Sequence, residues 1–517
     1  MHKLKKSVTT LVAALLVSTN VAGLTACGGR TNGTLTVDIV PYDGSAVEVT
    51  FYHTMGAALK GILDEYIPVF NEMYPNITIK HDMMGDYPAV REQIMTELSA
   101  GNSPSMAYCY PDHVALYKKA KKVLTLDDYI YSDEKVKLAD GTETIMGYSE
   151  AERNDFISAY YEEGKAYGDD KMYTMPIMKS TEVLYYNKTE FDKKGWKVPT
   201  TWEEMETLCA TIKADTDYLI DKKDENGNVI AGEKVSTVIP LGYDSEANWF
   251  ITMTEQLGTP YTSVEDDHFL FNTPENRAFV EKFRGWYEKG YVTTEEIFGD
   301  YTSKLFTEIN PEKQKVFMCI GSSAGATYQS PELIDVPVFD ENGNPVNNED
   351  GTQKTERKYP FEVGVAMIPQ ANPAKPRVIQ QGPSVCLFKK SNPQEMAAAW
   401  LFTKFLTTSI EYQASVSMNN GYTSVIKSVQ QNEVYADFLN NANGFEGLQA
   451  TAVKQTLAQM DYYYISPAFN GSSAARDKVG ILLQNCLVGK LNAGQTAAQF
   501  IESQFKDAIE ALEYDYA

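Results

Sequence analysis

Histidine is scarce in this chain: five residues, at positions 2, 53, 81, 113 and 268. They are too few and too scattered for a His-rich metal site. The six cysteines, at 27, 109, 209, 319, 386 and 486, include no CxxC pair, so the usual zinc and thiol-redox spacings are missing. Positive charge is in deficit as well, with 46 Lys and Arg against 70 Asp and Glu, a net charge of −24 and a pI near 4.7. That balance excludes nucleic acid as a partner, because phosphate neutralisation needs clustered cations, and it disfavours attraction to anionic lipid. No apolar run reaches the roughly 18 residues of a membrane-spanning helix. What is plentiful is aromatic surface, with 33 Tyr, 22 Phe and 5 Trp. The 517 residues suggest two or three domains, each able to bury its own core.

The N-terminus predicts the compartment. Lys3, Lys5 and Lys6 precede a mostly apolar stretch from Val8 to about Ala22, the layout of a secretory signal peptide. It ends in Leu24-Thr25-Ala26-Cys27, which resembles the lipobox of bacterial lipoproteins, whose cysteine thiol receives diacylglycerol. The expectation is a signal peptide over 1–26, lipidation of Cys27 and a Gly-, Thr- and Asn-rich tether over 27–45. Such a protein is held on the extracellular face of the cell membrane by lipid alone. The five other cysteines are odd in number, so they cannot form a complete disulfide framework. Their apolar contexts, such as Val316 to Ile320 around Cys319, suit buried small hydrophobes, with a single long-range disulfide as the alternative.

From Ala46 onward short strands alternate with amphipathic helices. Val47 to Tyr52 reads as a strand, Leu59 to Met73 as a helix stopped by Tyr74-Pro75-Asn76, Ile77 to Lys80 as a strand, Pro88 to Ala100 as a helix and Ser105 to Tyr110 as a strand. This order predicts an α/β fold with largely parallel sheets and ligands at the carboxyl ends of the strands. Three inserts interrupt it, Asp133–Gly147, Asp221–Lys234 and Asp340–Lys358. Two of them carry Asp-Glu-Asn-Gly-Asn, at 224–228 and 340–344. An EF-hand needs an acid or amide where Lys222 and Val338 stand, so Asn226-Gly227 and Asn342-Gly343 are read as hairpin turns.

Residues 173–208 carry a strand with proline, then Tyr186-Asn187-Lys188, then Pro199-Thr200-Thr201-Trp202-Glu203-Glu204. Together with the lipobox, Tyr74-Pro75-Asn76-Ile77, Ala100 to Pro104, Leu126 to Tyr129 and Asn420-Gly421-Tyr422, this resembles the extracellular solute-binding proteins of ATP-driven importers, family 1, the carbohydrate-binding group. The resemblance runs over the whole mature chain. It implies a two-lobe clamp of the periplasmic-binding-protein type, with lobe I over 46–180 and 384–423 and lobe II over 181–383 and 424–517. The chain would cross between lobes near Lys179–Glu182, Gly382–Leu387 and Gly421–Ile426, and hinges of this kind let two rigid lobes close on a ligand.

A sugar site needs aromatic platforms for ring faces and polar side chains for hydroxyls. The candidates are Asp86, Tyr87, Tyr110 and Asp112 on loops after lobe I strands, and Ser180, Glu182 and Gly382 at the crossings. Trp249, Phe469 and Arg476 are the candidates in lobe II. Gly321-Ser322-Ser323-Ala324-Gly325 matches G-x-S-x-G, but the last histidine, His268, precedes the serine, so the order a nucleophile elbow requires is missing. Ser322 and Ser323 are read instead as ligand-facing hydroxyls. The resemblance implies a monomer that captures a mono- or oligosaccharide and hands it to the membrane permease, with no catalysis, cofactor or metal. The composition is also compatible with an extracellular glycosidase using two carboxylates, and the clamp with a sensor that reports to a membrane kinase.

Overall fold

The strand–helix alternation builds two sheets, each with its own apolar core. The computed structural model describes residues 39–265, 267–441 and 447–516; the signal segment, Cys27 and most of the tether lie outside them. In lobe I, Val47–His53 is flanked by Ile77–Met83 and Met106–Cys109, both parallel to it. Ser384–Leu387 then adds antiparallel to Met106–Cys109, and Met175–Pro176 closes the edge. Val49, Phe51 and His53 point into the core at every second position, the period of a half-buried strand. The helix Pro393–Thr408 is buried on nearly all sides. Such a helix belongs in a core, and Trp400 and Phe402 fill lobe I.

Lobe II is organised around Ser180–Asn187, which runs antiparallel to Met318–Ser322, Val363–Ala366 and Val378–Gln381. Leu241–Tyr243, Val292–Thr294 and Tyr463–Tyr464 extend the sheet in parallel. The sheets are therefore more mixed than the largely parallel ones expected: strands arriving through the interlobe crossings enter antiparallel. Trp202, Trp249, Phe283 and Trp286 pack together in the core, with Trp249 and Phe283 centroids 4.1 Å apart.

The sequence landmarks are helix boundaries. Asn187 caps Lys188–Lys194 by accepting from the Glu190 amide at 2.9 Å. Thr201 caps Trp202–Ala214 by accepting from the Glu204 amide at 3.1 Å, while the Glu204 carboxylate accepts from the Thr200 amide at 2.8 Å. This exchange satisfies amide donors that a helix start otherwise leaves orphaned.

Two boundaries differ from expectation. Past Gly421 the chain does not return to lobe II at 424: Val425, Ile426, Val429 and Tyr435 pack in the lobe I core. The tether's last residues are docked, with Tyr42 buried and the Asp43 amide donating to Gln394 Oε1 at 2.8 Å. The inserts are hairpins, pairing Lys135–Lys137 with Glu143–Ile145, Leu219–Lys223 with Val229–Ser236 and Ile334–Pro337 with Thr355–Lys358. In both Asp-Glu-Asn-Gly-Asn turns the aspartate accepts from the two asparagine amides of its own loop. The five cysteines of the described residues are buried and unpaired.

Candidate functional site

The first two crossings meet at one buried ammonium. Lys179 Nζ donates to Glu163 Oε2, to the Gly382 carbonyl at 3.1 Å and to Ser384 Oγ at 3.0 Å. Ser384 Oγ donates to the same Glu163 oxygen at 2.9 Å, and Gln380 Nε2 donates to Glu163 Oε1 at 3.0 Å. The Lys179 backbone exchanges hydrogen bonds with Thr423, N to O at 3.1 Å and O from N at 2.7 Å. The first and second crossings are thus tied through a single ion pair whose side chains are 0% and 3% exposed. Burial removes both charges from solvent, so the pair persists only because the remaining donors and acceptors are also satisfied. Gly382 permits the approach: its φ is +93°, and a Cβ there would lie 2.6 Å from the Met178 carbonyl oxygen, a place open only to glycine.

Against this hinge lies a cleft with about 650 Å³ of empty space, mouth included. Lobe I contributes Tyr110, Pro111 and Asp112; lobe II contributes Tyr261, Thr262, Arg476 and the segment Tyr464–Pro467; Glu163, Gln380 and Gln381 form its floor at the hinge. Four polar atoms in this lining are buried without a partner: Tyr261 Oη, Thr262 Oγ1, Gln380 Oε1 and Gln381 Oε1. Buried polar groups are normally paired, and each one left unpaired costs about 1–3 kcal/mol. All four belong to residues that line this one cleft.

Of the residues singled out in the sequence, Tyr110, Asp112 and Arg476 line the cleft. Tyr87 stands behind Tyr110, with ring centroids 4.4 Å apart. Burial raises the Tyr110 hydroxyl above its ordinary pKa, against the opposing pull of the nearby Arg476 guanidinium. Asp112 lies in the first turn of Pro111–Lys119 but is not its cap. Asp86 is a cap, accepting from the Ala89 amide at 2.9 Å on an exposed helix start.

Glu182 lies beneath the cleft rather than in it. Its oxygens accept from Tyr243 Oη at 2.6 Å and Asn248 Nδ2 at 2.8 Å, and Arg476 donates to Asn248 Oδ1. Burial pushes the Glu182 carboxyl up to about 7, against the lowering effect of those two donors and of Arg476. Ser180, Ser322 and Ser323 belong to the hinge: Ser322 Oγ donates to Ser180 Oγ at 3.3 Å, and Ser323 Oγ accepts from the Thr181 amide at 3.3 Å. Neither serine of the glycine loop has a histidine among its partners.

Two aromatic candidates are displaced from the cleft. Trp249 is fully buried, stacked on Tyr243 at 5.0 Å and against Phe283; its place on the inner face of Glu246–Leu257 makes it core. Phe469 is 8% exposed and stacks on His268 at 4.6 Å. The loop position is as expected, but the ring turns inward. Sequence reasoning missed Glu163, Tyr261, Thr262, Gln380 and Gln381, none of which sits in a motif of its own. Among the described residues no helix is long and apolar enough to cross a membrane, and no cluster of three or more ligating side chains could hold a metal ion.

The model of the bacterial extracellular solute-binding protein family matches residues 65–442. The sn-glycerol-3-phosphate-binding periplasmic protein UgpB of Escherichia coli K12 is 26% identical over 177 residues, 33% of this chain and 37% of that protein. The chain thus matches little more than a third of this relative's length. Among solved structures, the ABC substrate-binding protein Lmo0181 of Listeria monocytogenes, in complex with cycloalternan, superposes with a TM-score of 0.65 at 16% identity, covering 91% of this chain and 100% of that one. UgpB of Mycobacterium tuberculosis, in complex with glycerophosphocholine, gives 0.64 at 14% identity, with 91% and 98% covered. At these identities the structures establish the two-lobe fold. The chain belongs to the bacterial extracellular solute-binding proteins.

Proposed function

We propose that this solute-binding protein captures an extracellular carbohydrate between its lobes and delivers it to the permease of an ATP-driven importer. The observation that carries the reading is the group of four unpartnered polar atoms, all on residues lining an interlobe cleft walled by Tyr110 and Tyr261. Amides and hydroxyls without partners suit a ligand dense in hydroxyls, and aromatic walls suit the weakly apolar face of a sugar ring. Because the lining comes from both lobes and the hinge, a ligand bridging them favours the closed arrangement over the open one. That difference in affinity drives closure. Binding and release suffice for this role. The protein acts as a monomer, held by acylated Cys27 on the outer face of the membrane. Labelling with a fatty-acid analogue tests the anchor, since Cys27→Ala should carry no label.

A thermal-shift screen against neutral sugars and sugar phosphates tests the ligand class. A ligand at 100 times its dissociation constant adds about 2.7 kcal/mol of stability, a readable rise in melting temperature. Small-angle scattering should then record compaction with the strongest hit. Release of product from an oligosaccharide would favour the glycosidase alternative, and no shift with any sugar would refute the reading.

A further inference from the structure

Gln380 is the penultimate residue of the strand Val378–Gln381, where the second crossing enters the hinge. Its Nε2 donates to Glu163 Oε1 at 3.0 Å, and Glu163 is held on its other oxygen by Lys179 and Ser384. The amide therefore has one orientation. Flipped, its carbonyl oxygen would face the Glu163 carboxylate, two acceptors with no proton between them. As it stands, the buried and unpartnered atom is the carbonyl Oε1, in a residue that lines the cleft.

Of the other lining groups, the Tyr261 and Thr262 hydroxyls donate as well as accept. Gln381 Oε1 is a second unpartnered acceptor, and Asp112 adds a carboxylate. Arg476 is the one cation lining the cleft among the described residues, and its guanidinium already donates to Asn248, itself bonded to Glu182. A phosphate monoester carries about −1.5 to −2 charge at pH 7 and needs several donors converging on its oxygens. Gln380 Oε1 and the Asp112 carboxylate are acceptors only, and an alcohol supplies the protons they lack.

We infer that Gln380, its amide oriented by the Glu163–Lys179 pair, makes the cleft select neutral, hydroxyl-donating ligands over their phosphate esters. The inference rests on the reading of the cleft as a carbohydrate site and narrows it. Glu163 acts through Gln380 as a positioning residue, and the hinge ion pair thereby contributes to specificity as well as to geometry.

The test is calorimetric titration of the purified chain at pH 7.5. One arm is a panel of neutral mono- and oligosaccharides and polyols, including ribitol and maltotriose. The other holds sn-glycerol 3-phosphate, glycerophosphocholine and the phosphate ester of the tightest neutral compound. The expected result is binding of that neutral compound at least about 100-fold tighter than of its ester, two unpaired acceptors at roughly tenfold each. Gln380→Met, of similar length, should weaken neutral binding by about tenfold and shrink the neutral-to-ester ratio. Glu163→Gln, which leaves the amide in place but frees it to turn, should shrink the ratio as well. An ester that binds wild type as tightly as its parent overturns the inference and leaves the carbohydrate reading standing, and this comparison needs no variant to fold. A Gln380→Met protein with wild-type ratio and affinity also overturns it. Binding of nothing in either arm removes the carbohydrate reading and the inference together.

Discussion

Replacing Lys179 with methionine isolates the energetics of the hinge. The change leaves a side chain one atom shorter and removes its charge and its three donated bonds, to Glu163, the Gly382 carbonyl and Ser384. Glu163, 3% exposed at its side chain, would then be a buried carboxylate with two neutral donors, Ser384 Oγ and Gln380 Nε2. Breaking a buried pair on one side costs about 3–5 kcal/mol, most of it the uncompensated charge that remains. Removing the charge as well, in Lys179→Met with Glu163→Gln, should return more than half of that loss, because a neutral amide can still pair with Ser384 and Gln380. Urea denaturation of wild type, both single variants and the double variant gives the cycle. The expected result is a double variant more stable than Lys179→Met alone. If Lys179→Met loses less than about 1 kcal/mol, a value typical of an exposed pair, the ion pair does not hold the crossings. If the two single losses simply add, the groups do not act as a unit.

Glu182 should tilt the stability profile. Its folded value of about 7 lies above the ordinary glutamate value, so the folded state binds the extra proton between roughly pH 4.5 and 7. The stability it contributes is present below that window and is lost as pH rises through it, by an amount of order 3 kcal/mol. Denaturation midpoints from pH 5 to 8 should show this fall in wild type relative to Glu182→Gln; parallel profiles would refute the assignment. Gly382→Ala must place a methyl 2.6 Å from the Met178 carbonyl oxygen at φ +93°, and should destabilise by about 2 kcal/mol or more. A neutral effect on the melting temperature would mean that the first two crossings are free to separate. Phe469→Ala should cost about 3–5 kcal/mol of stability as a core truncation with little change in ligand affinity. Tyr110→Ala should weaken binding, by about 1–3 kcal/mol, with little loss of stability. Calorimetry paired with thermal melts separates the two effects, and the reverse pattern would exchange the roles of these rings.

The parts of the fold legible in the sequence were those fixed by neighbouring residues. Alternation over Val47–His53 and the Thr201–Glu204 cap are local, so each is visible in a handful of letters. Tyr110, Asp112 and Arg476 could be named because they follow strands or open helices where cleft loops belong. The direction of a ring is not local. Trp249 faces inward because Phe283, 34 positions later, packs on it, and Phe469 turns onto His268, which comes from a distant loop. The return to lobe II was misplaced for the same reason, since Tyr435 bonds back to Ser417 and keeps the intervening chain on lobe I. The floor of the cleft was invisible because Glu163 and Gln380 meet across 217 positions.

The floor also explains how occupancy and hinge geometry are linked. Gln380 lines the cleft and donates to Glu163, and Glu163 touches Lys179, which holds the second crossing and the Thr423 backbone. A ligand hydroxyl donating to Gln380 Oε1 polarises an amide whose N–H already serves Glu163, and bonds linked in series strengthen one another. The gain requires the crossings to stay in the arrangement that aligns the four groups. Any rotation of the lobes that misaligns Gln380 with Glu163 loses the ligand's bond and the hinge's bond together. A ligand seated on this floor therefore holds the hinge in one geometry, whereas one bound only to the lobe walls would leave it free. A population shift requires a difference in affinity between the two states, and the Gln380–Glu163 contact is a structural source of that difference.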